Sequence, residues 1–382
     1  NNYQFFNPSG SPIFLNPGFN IMNKIGISDL FEDHRIIGGY RFNFNFDNEF
    51  MLQYEYRKKL IDHEFVVGRQ TFRRVPLYST IVDGYYGKSN THTARYSMKI
   101  PFSEVSAIKL SALYRNDRLV LLSNNDLFLP IPNLYQNMAG TKAEYVFDNT
   151  RSVMLNILNG FRFKAFAEYW KFLETNGDDF FAAGFDARHY LKVSRQITWC
   201  NRIAGGTSAG TQKLIYYLGG VDNWLLPSFN NNINIVRPEQ YGFQTLATNM
   251  RGFTQNIRNG NNFLVMNSEL RIPIVRYLFS TPFRSEFLNN LQLIGFGDIG
   301  MAWTGINPLS NDNTKNVQTY YQQGTNIILE ISNPRSPLVA GTGFGVRSKL
   351  FGYFVRLDFG WGIDELKVSD KAQIHLSLAT DF

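Results

Sequence analysis

Apolar and polar side chains alternate along most of this sequence with a period of two residues. In residues 35–47 one face is mostly aromatic and aliphatic, and it reads Ile36, Gly38, Tyr40, Phe42, Phe44 and Phe46. The opposite face reads Ile37, Gly39, Arg41, Asn43 and Asn45. Because successive side chains of a β-strand point to opposite faces, this pattern predicts strands that separate an apolar environment from a wet one.

About fifteen separable segments carry this pattern. They cover residues 24–30, 35–46, 49–58, 62–74, 91–101, 104–115, 140–148, 161–173, 180–192, 195–206, 263–274, 288–303, 339–349, 351–361 and 372–382. Tight turns between them alternate with long connections at 75–90, 116–139, 207–262 and 304–337. Bacterial membrane barrels have even strand numbers and the same alternation of short turns and long loops, so we predict sixteen strands.

Composition favours a membrane barrel over other folds. The chain has 34 Phe and 20 Tyr, and no run of 18 apolar residues that would form a spanning helix. It is too apolar for disorder, and it lacks the repeat of a propeller and the Val, Ile and Leu core of a soluble sandwich. An Arg or Lys at the lipid midplane costs about 2–4 kcal/mol, so the basic residues of the strands should face a wet lumen. These are Arg41, Lys109, Arg162, Lys164 and Arg271. We therefore predict an all-β, transmembrane antiparallel β-barrel.

The domain organisation follows from the same pattern. No linker separates regions of different composition, so we predict one barrel domain at residues 24–382, with residues 1–23 leading into it. The longest connection, residues 207–262, is rich in Asn, Gly and Gln. Residues 1–10 lack the pattern of a signal peptide, so we expect residue 1 to be a mature or truncated start.

Three other kinds of function have little support in the sequence. The net charge of +7 is spread over single basic residues, so no patch for nucleic acid is predicted. The five histidines and Cys200 show no metal-ligand spacing, and we expect neither a metal nor a cofactor. The stretch 206–210 matches the G-x-S-x-G string of hydrolases around Ser208, but it opens a polar loop, whereas the nucleophile elbow lies between a strand and a helix. No catalytic residue is therefore predicted.

Four motifs follow one another in the last part of the chain. The long connection contains Leu218-Gly219-Gly220 and, thirty residues later, residues 250–253, which read Met-Arg-Gly-Phe. The next two segments contain Asn-Ser-Glu-Leu-Arg-Ile-Pro at 267–273 and Gly-Phe-Gly-Asp-Ile-Gly at 295–300, and the last segment ends at Phe382. This combination resembles the assembly-factor superfamily of outer-membrane barrels, which includes BamA, TamA and the two-partner secretion transporters.

The resemblance implies that the long connection folds back into a sixteen-stranded lumen. Its Arg-Gly-Phe tip would pair there with acidic residues of the wall and form a luminal lock. The residues of the lock would be Arg251, Gly252, Phe253, Glu269, Phe296 and Asp298. Alternation agrees, because it places Glu269 and Arg271 on one face of their strand, and Phe296 and Asp298 on one face of theirs.

The resemblance also implies a location and a function. Leu376, Leu378 and Phe382 resemble the sorting signal of outer-membrane barrels, so we expect an integral protein of the cell outer membrane. Such a barrel assembles, inserts or translocates proteins or other polymers without covalent chemistry. Its partners would be outer-membrane lipid, client proteins or other barrel subunits, and a periplasmic partner domain or chain. The alternatives are a passive pore or structural membrane anchor of a larger surface complex, and an outer-membrane hydrolase that uses Ser208.

Overall fold

A computed structural model describes most of the chain. The described residues are 3–6, 20–43, 47–77, 85–122, 132–174, 177–194, 196–247, 249–279, 283–309, 315–321, 328–334, 336–378 and 381. Phe44, Asn45, Phe46 and Phe382 of the predicted segments lie outside them.

Nearly all regular structure in the described residues is β-strand. The strands are β1 (Gln4–Phe5), β2 (Asn20–Ser28), β3 (His34–Asn43), β4 (Asn48–Tyr56), β5 (Asp62–Leu77), β6 (Tyr85–Ser103), β7 (Ser106–Leu122), β8 (Leu134–Asp148), β9 (Arg151–Met154), β10 (Ile157–Phe172), β11 (Asp179–Lys192), β12 (Thr198–Gly210), β13 (Lys213–Leu218), β14 (Tyr241–Leu246), β15 (Arg258–Gly260), β16 (Asn262–Ile272), β17 (Gln292–Trp303), β18 (Lys315–Tyr321), β19 (Ile328–Pro334), β20 (Leu338–Leu350), β21 (Tyr353–Asp364), β22 (Lys367–Val368) and β23 (Gln373–Leu378). The helices are a 3-10 turn (Pro238–Gln240), α1 (Ile274–Leu278) and α2 (Glu286–Asn289). No helix among the described residues is long and apolar enough to cross a membrane.

The strands pair antiparallel into one large sheet that forms the barrel wall. Pairing follows chain order from β2 to β8, passes from β8 to β10, and continues through β11 and β12. It then joins β16, β17, β20, β21 and β23 in turn, while β9 and β22 extend the ladders of β10 and β21. This sheet has 17 strand segments among the described residues. The predicted number of sixteen strands stays a prediction.

The apolar and polar residues that alternate along the sequence lie on opposite faces of the wall. Each predicted segment overlaps one strand of the large sheet. In β17, for example, Phe296 and Asp298 are buried on one face, while Leu293 and Ile299 on the opposite face are exposed. The wall therefore has one apolar face and one face that carries the charged residues, as the sequence predicts for a membrane barrel.

The connection between β12 and β16 is a folded insertion, defined here as residues 211–261. Its bounds are narrower than the predicted 207–262, because Thr207 and Asn262 pair within the β12–β16 ladder. Within it β13 pairs with β14 and β15, and β1 pairs with the other edge of β14. Of the described residues in the predicted lead-in 1–23, Gln4–Phe5 belong to this small sheet and residues 20–23 to β2 of the wall.

Candidate functional site

The insertion packs against the inward-facing side of the barrel wall. Leu214, Leu218 and Met250 of the insertion share one buried apolar cluster with Val265 of β16 and Val339 of β20. Burial of apolar side chains contributes about 1.5–3 kcal/mol for each large residue, so this cluster holds the insertion to the wall. It also brings the tip of the insertion, residues 250–253, over β16, β17 and β21.

Arg251 at the tip is 1% exposed and is bonded to two carboxylates of the wall. Its Nε and Nη2 donate to the two carboxylate oxygens of Asp298, each at 2.7 Å, and its Nη1 donates to Glu269 Oε1 at 2.5 Å. The Arg251 backbone N–H also donates to Asp298 Oδ2 at 3.2 Å. Burial lowers the pKa of the guanidinium, but Asp298 and Glu269 outweigh it and hold that pKa above its ordinary value. A forked, charge-assisted pair of this kind is geometrically specific.

Phe296 and Asn267 complete the surroundings of this pair. The guanidinium carbon of Arg251 lies 3.7 Å from the centre of the Phe296 ring, within the range of a cation–π contact. Asn267 Nδ2 donates to Asp298 Oδ1 at 2.9 Å and to the carbonyl oxygen of Asn249 at 2.8 Å. Because Asn267 bonds both the wall carboxylate and the insertion backbone, it fixes the position of one relative to the other.

Gly252 and Phe253 follow Arg251 along the same wall. Gly252 has φ of 89°, and a Cβ there would lie 2.7 Å from the backbone nitrogen of Gly362 in β21. The Gly252 N–H donates to Nε2 of His375 in β23 at 3.1 Å. Phe253 is 9% exposed and belongs to the apolar cluster that includes Val265. The structure thus brings all six predicted lock residues together, and their functional role stays a proposal.

A larger group of buried charges surrounds the tip. Glu269 also accepts bonds from Arg271 Nε at 2.9 Å and from Arg347 Nη2 at 2.7 Å. Asp358 lies 3.6 Å from Arg356, 3.9 Å from Arg347 and 4.0 Å from Arg251. Opposite charges are interleaved throughout this group, which offsets the cost of taking each of them out of water.

Several members of this group were not predicted from the sequence. They are Arg347, Arg356, Asp358, His375 and Asp381. A signal for the first three exists, because on β20 and β21 they share their faces with glycines, while Phe344 and Trp361 lie on the outward faces. A strand face that combines glycine with charge is typical of a crowded polar interior.

The end of the chain turns inward after the last strand. Leu376 and Leu378, predicted as part of a sorting signal, are partly exposed on β23. Asp381 is buried: its Oδ2 accepts from Arg188 Nη1 at 2.7 Å and its Oδ1 from Arg271 Nη2 at 3.1 Å. Burial raises the pKa of this carboxyl, but the two arginines outweigh burial and hold the pKa below its ordinary value. The sorting role stays a prediction.

The space beside the insertion is not filled. Two cavities of about 490 and 330 Å³ remain, and Tyr3, Lys142 and Lys164 line both of them. Charges of both signs surround them: Lys164, which pairs with Glu144 at 2.6 Å, lines both cavities, and Arg95, which pairs with Glu64 at 2.7 Å, lines the smaller one. These groups can hydrate a polar passage.

Ser208, the residue of the hydrolase-like string, has a structural contact. It lies on β12, and its Oγ accepts the N–H of Leu214 at 2.9 Å, which joins the barrel wall to β13. In the part of the chain that the structure describes, no group of three or more His, Cys, Asp or Glu side chains is placed to hold a metal ion.

Comparison with solved structures identifies the fold. BamA from Haemophilus ducreyi lacking POTRA domains 1–3 superposes with a TM-score of 0.58 at 11% identity, covering 94% of this chain and 67% of that one. CdiB from Acinetobacter baumannii gives 0.52 at 12% identity, covering 94% and 56%, and CdiB from Escherichia coli gives 0.50 at 11%, covering 98% and 61%. The chain therefore spans less than two thirds of either CdiB chain. No family model and no curated protein sequence matches it.

Proposed function

We propose that this chain, with the barrel fold of BamA and CdiB, is an outer-membrane protein that assembles, inserts or translocates other proteins. It does so without covalent chemistry. Its partners are outer-membrane lipid on the apolar face of the wall and client proteins or other barrel subunits at the edges of the sheet. A periplasmic partner domain or chain presents the clients. The motifs at 250–253, 267–273 and 295–300 support this assignment by their resemblance to the assembly-factor superfamily.

The docked tip of the insertion is the observation that carries the proposal. Removing one partner of a buried ion pair costs about 3–5 kcal/mol, so an insertion held by Arg251 is either fully docked or released. An element with two discrete arrangements can couple events in the lumen to the wall strands that carry Glu269 and Asp298. A protein that handles clients needs such coupling, whereas a static tube does not.

The alternative of a passive pore or structural anchor is less well supported. The insertion occupies the space along β16, β17 and β20, and cavities of about 490 and 330 Å³ remain beside it. A porin keeps a continuous aqueous channel open through its barrel. A steady, wide conductance of the purified protein in planar bilayers without any client would favour the pore.

An assembly assay tests the proposal. The purified chain is placed in liposomes of outer-membrane lipid, and the rate at which an unfolded barrel precursor becomes protease-resistant is compared with empty liposomes. We expect the wild type to accelerate this step and Arg251→Ala to lose most of the acceleration, because the insertion can then no longer alternate between a docked and a released arrangement. Arg41→Ala is the matched control, since Arg41 also pairs with a wall carboxylate, that of Glu49, but its side chain is 30% exposed.

Two results would contradict the proposal. Equal precursor folding in empty and protein-containing liposomes would exclude the assembly function for that class of client. Equal activity of Arg251→Ala, Arg41→Ala and the wild type would separate the function from the docked tip. Heat-dependent migration of each variant on a gel reports whether its barrel is folded, so that a misfolded variant is not scored as an inactive one.

A further inference from the structure

A short piece of the insertion pairs with the last strand of the wall as a strand would. The N–H of Leu225 donates to the carbonyl oxygen of Leu376 at 2.9 Å, and the N–H of Leu378 donates to the carbonyl oxygen of Asn223 at 3.4 Å. Between these bonds Trp224 lies opposite Ser377 in an antiparallel bridge. This is the bond pattern around a non-hydrogen-bonded pair of an antiparallel ladder.

The segment covers the edge of β23 that faces away from β21. Backbone N–H and C=O groups of a strand point to its two sides at alternate residues. The backbone groups of Leu376 and Leu378 point to residues 223–225. Those of Ser377, between them, therefore point to β21, with which β23 pairs along residues 373–378. The edge through which β23 could accept a further strand is therefore occupied over residues 376–378.

Trp224 anchors this segment. Its side chain is 2% exposed, and its ring centre lies 4.6 Å from that of His375 on β23. Asn223 bends the chain with φ of 52°, and Leu226, at 76% exposed, ends the contact. A large buried aromatic side chain between two backbone bonds is a mode by which an extended peptide adds to a sheet edge.

The same segment is joined to the Arg251 tip. The N–H of Met250 donates to the carbonyl oxygen of Gly220 at 3.0 Å, and the N–H of Asp222 donates to Asn249 Oδ1 at 2.7 Å. These two bonds link residues 220–222, which precede the edge-covering segment, to Asn249 and Met250, which precede Arg251. The tip and the edge-covering segment are therefore parts of one hydrogen-bonded unit.

We propose that residues 223–225 are an internal strand cap that keeps the edge of β23 closed until the insertion is released. The occupant that the cap excludes is an extended, antiparallel segment of a barrel precursor with an aromatic side chain at the position of Trp224. Residues 223–225 show what this edge accepts: an antiparallel backbone with a large aromatic side chain that is buried beside it. The inference rests on the proposed function and adds to it a means of regulating access to the last strand.

A reversible covalent cap tests the inference in the full chain. Trp224→Cys and Ser377→Cys are combined, because a non-hydrogen-bonded pair places its Cα atoms about 4.5 Å apart, within the range for a disulfide. In liposomes of outer-membrane lipid we expect the oxidised double variant to fold a barrel precursor at least about tenfold more slowly than the same protein after reduction. Oxidised and reduced forms share every substitution, so the loss of the Trp224 ring is matched between them.

A second pair of variants measures the cap without any client. Leu225→Pro removes the N–H that bonds to Leu376, whereas Leu225→Ala shortens the same side chain and keeps that N–H. Loss of one hydrogen bond should raise amide exchange at Leu378 about five- to tenfold in Leu225→Pro relative to Leu225→Ala.

The outcomes separate the cap from the proposed function. If the disulfide does not form under oxidant, or if the oxidised protein is as active as the reduced one while the wild type is active, the cap is overturned and the proposed function stands. If the wild type itself folds no precursor, the proposed function fails, and exchange at Leu378 decides on the cap alone. Equal exchange in Leu225→Pro and Leu225→Ala would then overturn it.

Discussion

On one side of the barrel, β16, β17, β20 and β21 bury their inward charges beneath the insertion, whereas on the other side inward charges such as Glu64 of β5 and Lys109 of β7 stay partly exposed. The side chain of Glu269 is 0% exposed, and that of Glu64 is 18% exposed. Both carboxylates are bonded to more than one cation: Glu269 to Arg251, Arg271 and Arg347, and Glu64 to Arg95 and Lys109. Water can replace a lost partner only on the open side. An ion pair of the same kind therefore contributes a different free energy to stability in the two regions.

The largest expected effect comes from neutralising the buried carboxylate. Glu269→Gln leaves Arg251, Arg271 and Arg347 without their shared anion, and we expect a loss of about 3–5 kcal/mol in the free energy of unfolding. Glu64→Gln should cost about 1 kcal/mol or less. Urea titrations in which unfolding is monitored by heat-dependent gel migration give the free energy of unfolding of both variants. Equal losses for the two variants would show that the two sides of the lumen are equally hydrated.

A smaller effect is expected from adding one methyl group to a glycine with positive φ. Gly252→Ala places a Cβ 2.7 Å from the backbone of Gly362, whereas Gly177→Ala, at φ of 109°, meets nothing within 4 Å. Both variants carry the left-handed penalty of about 1–2 kcal/mol, and only Gly252→Ala must also move the tip off the wall. We expect protease cleavage within 211–261 in Gly252→Ala alone. Cleavage in both variants, or in neither, would contradict close packing of the tip on β21.

The smallest effect concerns acid pH at the end of the chain. The pKa of Asp381 lies below its ordinary value of 3.8, so its ion pairs with Arg188 and Arg271 stabilise the folded state above that pH. The contribution is lost as pH falls through the lowered pKa. Exchange of the residue 381 amide, corrected for the intrinsic exchange rate at each pH, should therefore increase in the wild type as the pH falls below 3.8. In Asp381→Asn it should already be high at neutral pH, and an identical pH profile in both proteins would remove Asp381 as the cause.

Much of the wall could be predicted because one physical rule governs it. Lipid outside and water inside impose an alternation that is visible wherever the outward residues are apolar, as with Leu293 and Ile299. The rule fails at strand ends that extend beyond such residues. β6 begins at Tyr85, whereas the predicted segment begins at residue 91, because Lys88, Ser89 and Asn90 are polar on both faces.

The interior was harder to predict because neither of its faces meets lipid. Residues 214–218 are buried on both faces of β13, so their uninterrupted apolar run carries no alternation. The Arg251 tip was predictable from its motif, and its partners Glu269 and Asp298 from their shared faces. Nothing local in the sequence indicates that Asp381 turns inward to reach Arg188 on β11, a contact between residues 193 positions apart.

The position of the insertion within the chain also sets an order of events in the protein's own biogenesis. Arg251 reaches Asp298 across 47 residues, Gly252 reaches His375 across 123, and Phe5 pairs with Phe243 from the far end of the chain. Contacts of such long sequence separation form slowly, since the ends of the intervening chain must first be brought together. The docked contacts of the insertion can therefore be completed only after β17, β21 and β23 have been made, so the last strand of the wall is needed before the tip is fully held.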